Sequence, residues 1–151
     1  MTVVINGLDD LRNRAGQHLG YSDWLEVTQS RVDQFADATD DHQWIHVDVE
    51  RAKTGPFGGT IAHGFLTLSL LIAMWNDVAE LRGIEVAVNY GLNKVRFPAP
   101  VPVGSKIRMG ATLASVTDVQ GGVEAVIDAV FEREGSDKPV CVAQVVHRYY
   151  A

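Results

Sequence analysis

The spacing of apolar residues changes character at Gly83. Ahead of it the pattern is helical, and beyond it the pattern alternates. Trp24 to Val27 reads as a short strand. Thr28 can then cap a helix running to about Ala38, with Val32, Phe35 and Ala36 at helical spacing. Thr39-Asp40-Asp41 stops that helix, because such side chains compete for backbone hydrogen bonds. A loop follows to His46, and Asp48 caps a short helix, VERAKTG, ended by Gly55 and Pro56. After the turn PFGGT a longer helix opens near His63-Gly64, continues FLTLSLLIAMWNDVAEL and stops at Gly83. It is apolar around most of its circumference, which predicts a central helix buried all round.

After Gly83 the period is two. Glu85 to Tyr90, Lys106 to Met109 and Glu124 to Phe131 alternate, and Pro139 to Tyr150 reads as the last strand. Breakers separate them at PAPVPVG, Gly121-Gly122 and GSDKP. Consecutive strands without helices between them predict an antiparallel sheet. One apolar helix and one strongly curved sheet give an α+β domain with the helix wrapped by the sheet.

Composition narrows the class. The chain has 151 residues, which is the length of one domain, and its hydrophobic fraction of 46% is that of an ordinary globular protein. The net charge of −6 offers no basic stripe for a phosphate backbone, so nucleic acid is not expected as a partner. The run from Ile61 to Trp75 falls short of the roughly 18 to 20 apolar residues of a membrane span, and no signal peptide opens the sequence. A cytoplasmic protein is expected. A single cysteine, Cys141, excludes an internal disulfide framework and reads as a reduced core residue.

Acid–base groups crowd one segment, ADATDDHQWIHVD, which holds Asp37, Asp40, Asp41, His42, His46 and Asp48. If the loop folds back, Asp41 and His46 can face one reaction centre. A carboxylate and an imidazole together suit proton transfer to and from water; a solvated loop carrying helix caps is the other reading. The second feature is the helix start at Ile61-Ala62-His63-Gly64-Phe65. First-turn amides lack intrahelical acceptors, and Gly64 lets a ligand come close to one. Such an N–H can stabilise a developing oxyanion; tight helix–sheet packing would also account for the glycine.

These segments resemble the MaoC-like, R-specific enoyl-CoA hydratases of the hotdog fold. The family signature runs roughly Gly-Asp-x-Asn-Pro-hydrophobic-His, and Asp40-Asp41-His42-Gln43-Trp44-Ile45-His46 occupies its place here. IAHGFLTLSLL is similar to the start of the family's central helix, and KVRFPAPVPVGSKI to its overhanging strand and turn. The resemblance covers about residues 20 to 150. It departs at Asp40, Gln43 and Trp44, where the family usually has Gly, Asn and Pro. The Asp-His-Gln-Trp-Ile-His pattern looks like that of a subgroup of short single-hotdog hydratases.

The resemblance implies hydration of a trans-2-enoyl thioester, with Asp41 and His46 holding the water and the Gly64 amide receiving the enolate oxygen. The substrate is an acyl-CoA thioester, and no metal or redox cofactor is implied. Substrate-binding positions are expected at Gln43, at Phe57, Gly58 and Thr60 of the glycine-rich turn, and at His63. Lys94 and Arg96, alternating on the strand before PAPVP, are candidates for coenzyme A phosphates. His42 and His46 have zinc-like i, i+4 spacing, but no adjacent glutamate and no third ligand is evident in the sequence. A homodimer paired edge to edge is expected, since an open sheet edge is a liability. A hotdog thioesterase and a non-catalytic thioester-binding subunit are the rival functions.

Overall fold

The computed structural model covers residues 1–151. Its elements run β1 (Val3–Asn6), α1 (Gly7–Asn13), β2 (His18–Tyr21), β3 (Leu25–Glu26), α2 (Gln29–Thr39), α3 (Trp44–Val47), α4 (Val49–Lys53), α5 (Gly64–Ser69), α6 (Leu71–Val78), β4 (Ala79–Arg82), β5 (Val86–Arg96), β6 (Lys106–Val119), β7 (Gly122–Arg133) and β8 (Cys141–Tyr150). One antiparallel sheet runs in the order β2-β6-β7-β8-β5, with β3 also paired to β6. This is the hotdog arrangement, an α+β fold in which α5 and α6 lie against the inner face of the sheet. No helix is long and apolar enough to cross a membrane.

Strand alternation decides which face is inner. On β7, Val123, Ala125, Ile127, Ala129 and Phe131 are all buried, and on β8 Cys141, Ala143, Val145 and Tyr149 are. They pack with Leu66, Leu70, Leu71, Met74, Trp75 and Val78 in one core. Several of the inward sheet residues are alanines (Ala111, Ala125, Ala129, Ala143). Small residues there leave room for bulky helix side chains while preserving close packing. Bulges in β5 between Asn89 and Gly91 and between Leu92 and Lys94, and in β6 between Leu113 and Ser115, bend the sheet.

The first caps are where the sequence puts them. Thr28 accepts from the Arg31 amide, and Asp48 from the Arg51 amide, each at 3.1 Å. The central helix differs from its expectation. It divides at Leu70, next to Ser69, whose hydroxyl donates to the Phe65 carbonyl at 2.6 Å, a back-bond that bends helices. It ends at Val78 rather than Leu81. Residues Ala79–Arg82 instead pair in parallel with β1, a strand the hydrophobic pattern did not reveal. Nor is the helix buried all round: Phe65 is 70% and Ile72 46% exposed. Trp44–Val47, expected as loop, is a helical turn. The strand expected at Glu85 to Tyr90 continues to Arg96 and is exposed along most of its length.

Cys141 and His147 are titratable groups buried in the core. Burial pushes the Cys141 thiol up to about 12, so it is no nucleophile near neutrality. Burial also lowers His147, whose Nδ1 bonds the Tyr149 hydroxyl while its Nε2 has no partner. The folded protein thus resists protonating His147, whereas the unfolded chain accepts the proton below about its ordinary value of 6.5. The His147 contribution to stability is complete above that value and is lost as pH falls through it toward the folded pKa. Urea unfolding at pH 7.5 and 5.5 should show this loss, and His147→Gln should flatten the difference. An equal pH dependence in the variant would exclude His147 as its source.

Candidate active site

Helix α2 ends on Asp40, which takes the left-handed conformation at φ 58° and ψ 26°. Glycine prefers this backbone, and aspartate is among the few other residues that tolerate it. Asp40 can therefore stand where the resembled family has Gly. The turn brings the chain back so that the Asp41 amide bonds the Ala36 carbonyl at 3.2 Å. The Gln43 amide lies 3.4 Å from Asp41 Oδ1, and half of the carboxylate side chain stays exposed.

The single turn α3 then buries His46. Its Nδ1 lies 2.7 Å from the Ile61 carbonyl, an atom that can only accept, so Nδ1 carries the proton. In the neutral ring Nε2 is then a free lone pair. The support continues outward. The Gln29 side chain donates to the His46 carbonyl at 2.8 Å and to Asp33 Oδ1 at 2.9 Å, and accepts from the Thr60 hydroxyl at 2.7 Å. Trp44, in place of the family's Pro, lies under the Arg51 guanidinium at 4.2 Å and against Gly55, where an added Cβ would come within 2.9 Å of the ring.

His63 precedes α5 and is 3% exposed. Its ring stacks on His46 at 3.8 Å between centroids, and its Nε2 donates to the Asp41 carbonyl at 3.0 Å. Its Nδ1 is buried without a partner. Potential ligand atoms of Asp41, His46 and His63 lie within 4.8 Å of one another, a set able to hold a water or a cation. The Gly64 amide makes no hydrogen bond within the chain.

Asp41, His46, His63 and Gly64 line one cavity of about 450 Å³, closed by Phe35, Thr39, Phe65 and Phe97. Of the residues singled out in the sequence, Phe57 lines an adjoining chamber that shares His46 and Gly64 with this cavity. Gly58 and Thr60 face a separate groove, where Thr60 acts on His46 only through Gln29. Gln43 contributes its amide, and its exposed side chain lines neither cavity. Lys94 and Arg96 stand exposed on β5, outside both. His42 turns away to Asp37 at 2.8 Å, so it does not join His46. Gln29 and Phe97 escaped the sequence reading. Gln29 looks like an ordinary first-turn helix residue, and Phe97 like part of a proline-rich connection.

His63→Phe keeps an aromatic ring at this position and removes the bond to Asp41. It should cost about 1 kcal/mol of stability. Amide exchange should quicken at Asp41 to Gln43 and not in the interior of α2, whereas an unchanged loop would show that His63 only fills space.

Comparison with known proteins bears on the descent and fold of the chain. Residues 10–133 match the MaoC-like domain. The chain is 55% identical over 143 residues to 3-hydroxyacyl-thioester dehydratase Z of Mycobacterium tuberculosis, covering 94% of this chain and 95% of that protein. An Archaeoglobus structure described as a monoamine oxidase regulatory protein superimposes with a TM-score of 0.79 at 22% identity, over 100% of this chain and 99% of the other. An unliganded R-hydratase from Pseudomonas aeruginosa gives 0.72 at 20% identity, over 90% and 81%. At those identities the two structures speak to the fold; the match over most of the chain speaks to descent. The chain belongs to the MaoC-like dehydratase family.

Proposed function

We propose that the chain catalyses the reversible, (R)-specific hydration of trans-2-enoyl-CoA to (R)-3-hydroxyacyl-CoA. The observation that carries this reading is the fixed His46 tautomer, which leaves Nε2 free, with the Asp41 carboxylate and the unpaired Gly64 amide lining the same cavity. The 3-hydroxyacyl-thioester dehydratase to which the chain is similar supports it. The (R) stereochemistry follows the family resemblance.

Asp41 and His46 hold one water. The pair takes a proton from it as the oxygen bonds to C3. The C2–C3 π electrons move onto the thioester oxygen, which becomes an enolate facing the Gly64 N–H. A preorganised donor of this kind is typically worth about 3 kcal/mol of barrier. The pair then returns a proton to C2, the enolate collapses, and no group changes charge over the cycle. The reaction is redox-neutral, and this route assigns no step to a metal or cofactor. A net charge of −6 gives no complementarity to an acidic carrier protein, which favours coenzyme A as the thiol.

The acting unit in this proposal is a homodimer. Strand β5 is the last in the sheet and bears exposed Val86, Val88, Tyr90 and Leu92; Phe65 and Ile72 are exposed on the helices. An unpaired edge with this much apolar surface suits pairing with the same edge of a second copy.

Loss of enoyl absorbance from trans-2-butenoyl-CoA tests the chemistry. Asp41→Asn and His46→Gln, shown to be folded by circular dichroism, should each fall by about 100-fold or more. Release of free coenzyme A thiol without hydration would point to a thioesterase instead. Light scattering tests the assembly: wild type should run at twice the chain mass, and Val88→Lys combined with Leu92→Lys should shift it toward the monomer. A monomeric wild type would remove the edge pairing.

A further inference from the structure

Gln29 opens α2, and both ends of its carboxamide are partnered. Its nitrogen donates to the His46 carbonyl at 2.8 Å and to Asp33 Oδ1 at 2.9 Å, and its oxygen accepts from the Thr60 hydroxyl at 2.7 Å. A carbonyl and an ionised carboxylate can only accept, so the amide can face only one way. Helix α3 is a single turn of four residues, too short to bond its own last carbonyls. Gln29 supplies a donor to that of His46.

These bonds close a circuit. It runs from the His46 carbonyl through Gln29 to Thr60, along the chain to Ile61, and from the Ile61 carbonyl back to His46 Nδ1. His46 is thus gripped at its backbone and at its ring, and both grips refer to the neighbours Thr60 and Ile61. Thr60 is buried and Gln29 partly so, where hydrogen bonds are stronger than in water. Neither Gln29 nor Thr60 lines the reaction cavity or the chamber beside it. Whatever they do for the chemistry passes through His46.

We propose that Gln29 is a positioning residue for the reaction: it holds the His46 backbone where Nδ1 keeps its proton on the Ile61 carbonyl and Nε2 stays open to water. The proposal rests on the enoyl-thioester reading above. Without the amide, the His46 carbonyl loses a bond and Thr60-Ile61 loses its tie to α2. The ring can then leave the Ile61 carbonyl and carry its proton on Nε2, the atom that has to accept one from water. Proton transfer depends steeply on such placement, whereas substrate contacts elsewhere in the cavity are untouched.

The test uses the full-length protein with Gln29→Glu, Gln29→Ala, Thr60→Val, Thr60→Ser and the double variant Gln29→Ala with Thr60→Val. Gln29→Glu keeps the shape but offers no donor to His46 and sets a second carboxylate beside Asp33. With trans-2-butenoyl-CoA, kcat should fall about tenfold or more in both Gln29 variants while KM stays within about twofold. Thr60→Val should lose less, and Thr60→Ser should return most of that loss. Adding Thr60→Val to Gln29→Ala should cost nothing further, because Thr60 acts through the amide. Ring-nitrogen NMR at pH 8, with the His46 signal identified by its absence in His46→Gln, should show one tautomer in wild type and a mixture in the Gln29 variants. Where a Gln29 variant does not fold, the Thr60 pair carries the same comparison. Unchanged kcat in the folded variants, a lost kcat with the His46 tautomer intact, or full additivity in the double variant would each overturn the proposal and leave the hydratase reading standing. If wild type hydrates no enoyl thioester, that reading falls, and the proposal that Gln29 positions His46 for the reaction falls with it.

Discussion

The hydrogen bond from His46 Nδ1 to the Ile61 carbonyl joins the two stretches of chain that make the site. One descends from α2 through the Asp40 turn; the other rises from PFGGT into α5. One backbone bond ties the same pair together, and a second ties the PFGGT stretch to the connection into β6. The Ile61 amide bonds the Ile45 carbonyl at 3.0 Å, and the Ala62 amide bonds the Val101 carbonyl at 2.8 Å. Ile61 also forms an isolated bridge with Pro102, so the turn after the glycines is laid against the connection leading into β6. A single bond thus sets the imidazole's protonation pattern and fixes where it stands relative to Gly64. It is buried, where an amide-like donor left unmatched is costly.

The sheet and helices make that bond possible by holding α5 still. The inward alanines of β6, β7 and β8 seat Met74, Trp75 and Val78 deep in the core, which leaves the first turn of α5 at its rim. His63 sits at this rim. It is held from one side by the Phe35 ring at 4.9 Å and from the other by His46. The two buried imidazoles lie in face contact, and each gives its N–H to a backbone carbonyl. That arrangement fixes the orientation of both rings.

Much of the molecule was legible from residue order. Thr28 and Asp48 cap their helices because short polar side chains reach amides three residues on. Strand alternation identified β7 and β8 because one face of each is buried. The Asp41–His46 pair stood out because two proton-active groups with five-residue spacing followed a helix stop. What was not legible has physical causes. β4 was hidden because AELR continues a helical pattern, and only pairing with β1 makes it a strand. The solvent-facing stripe of α5 and α6 was hidden because Phe65 and Ile72 are as apolar as their buried neighbours. The roles of Gln29 and Phe97 depend on contacts across 17 and 33 residues, Gln29 to the His46 carbonyl and Phe97 to Gly64, which no local pattern encodes.

In the proposed reaction the Gly64 donor belongs to the main chain, whereas Asp41 and His46 act through side chains. Point mutations can erase the proton-handling groups in one step, but they can only crowd or displace an amide. Divergence from an ancestor of this shape is therefore asymmetric. On that reading, lineages released from selection on turnover would lose the acid–base pair early and keep the thioester-polarising backbone as long as α5 stays seated. Such descendants would retain recognition after losing chemistry, so capture of a thioester in a distant homologue would be a poor guide to whether it still turns one over.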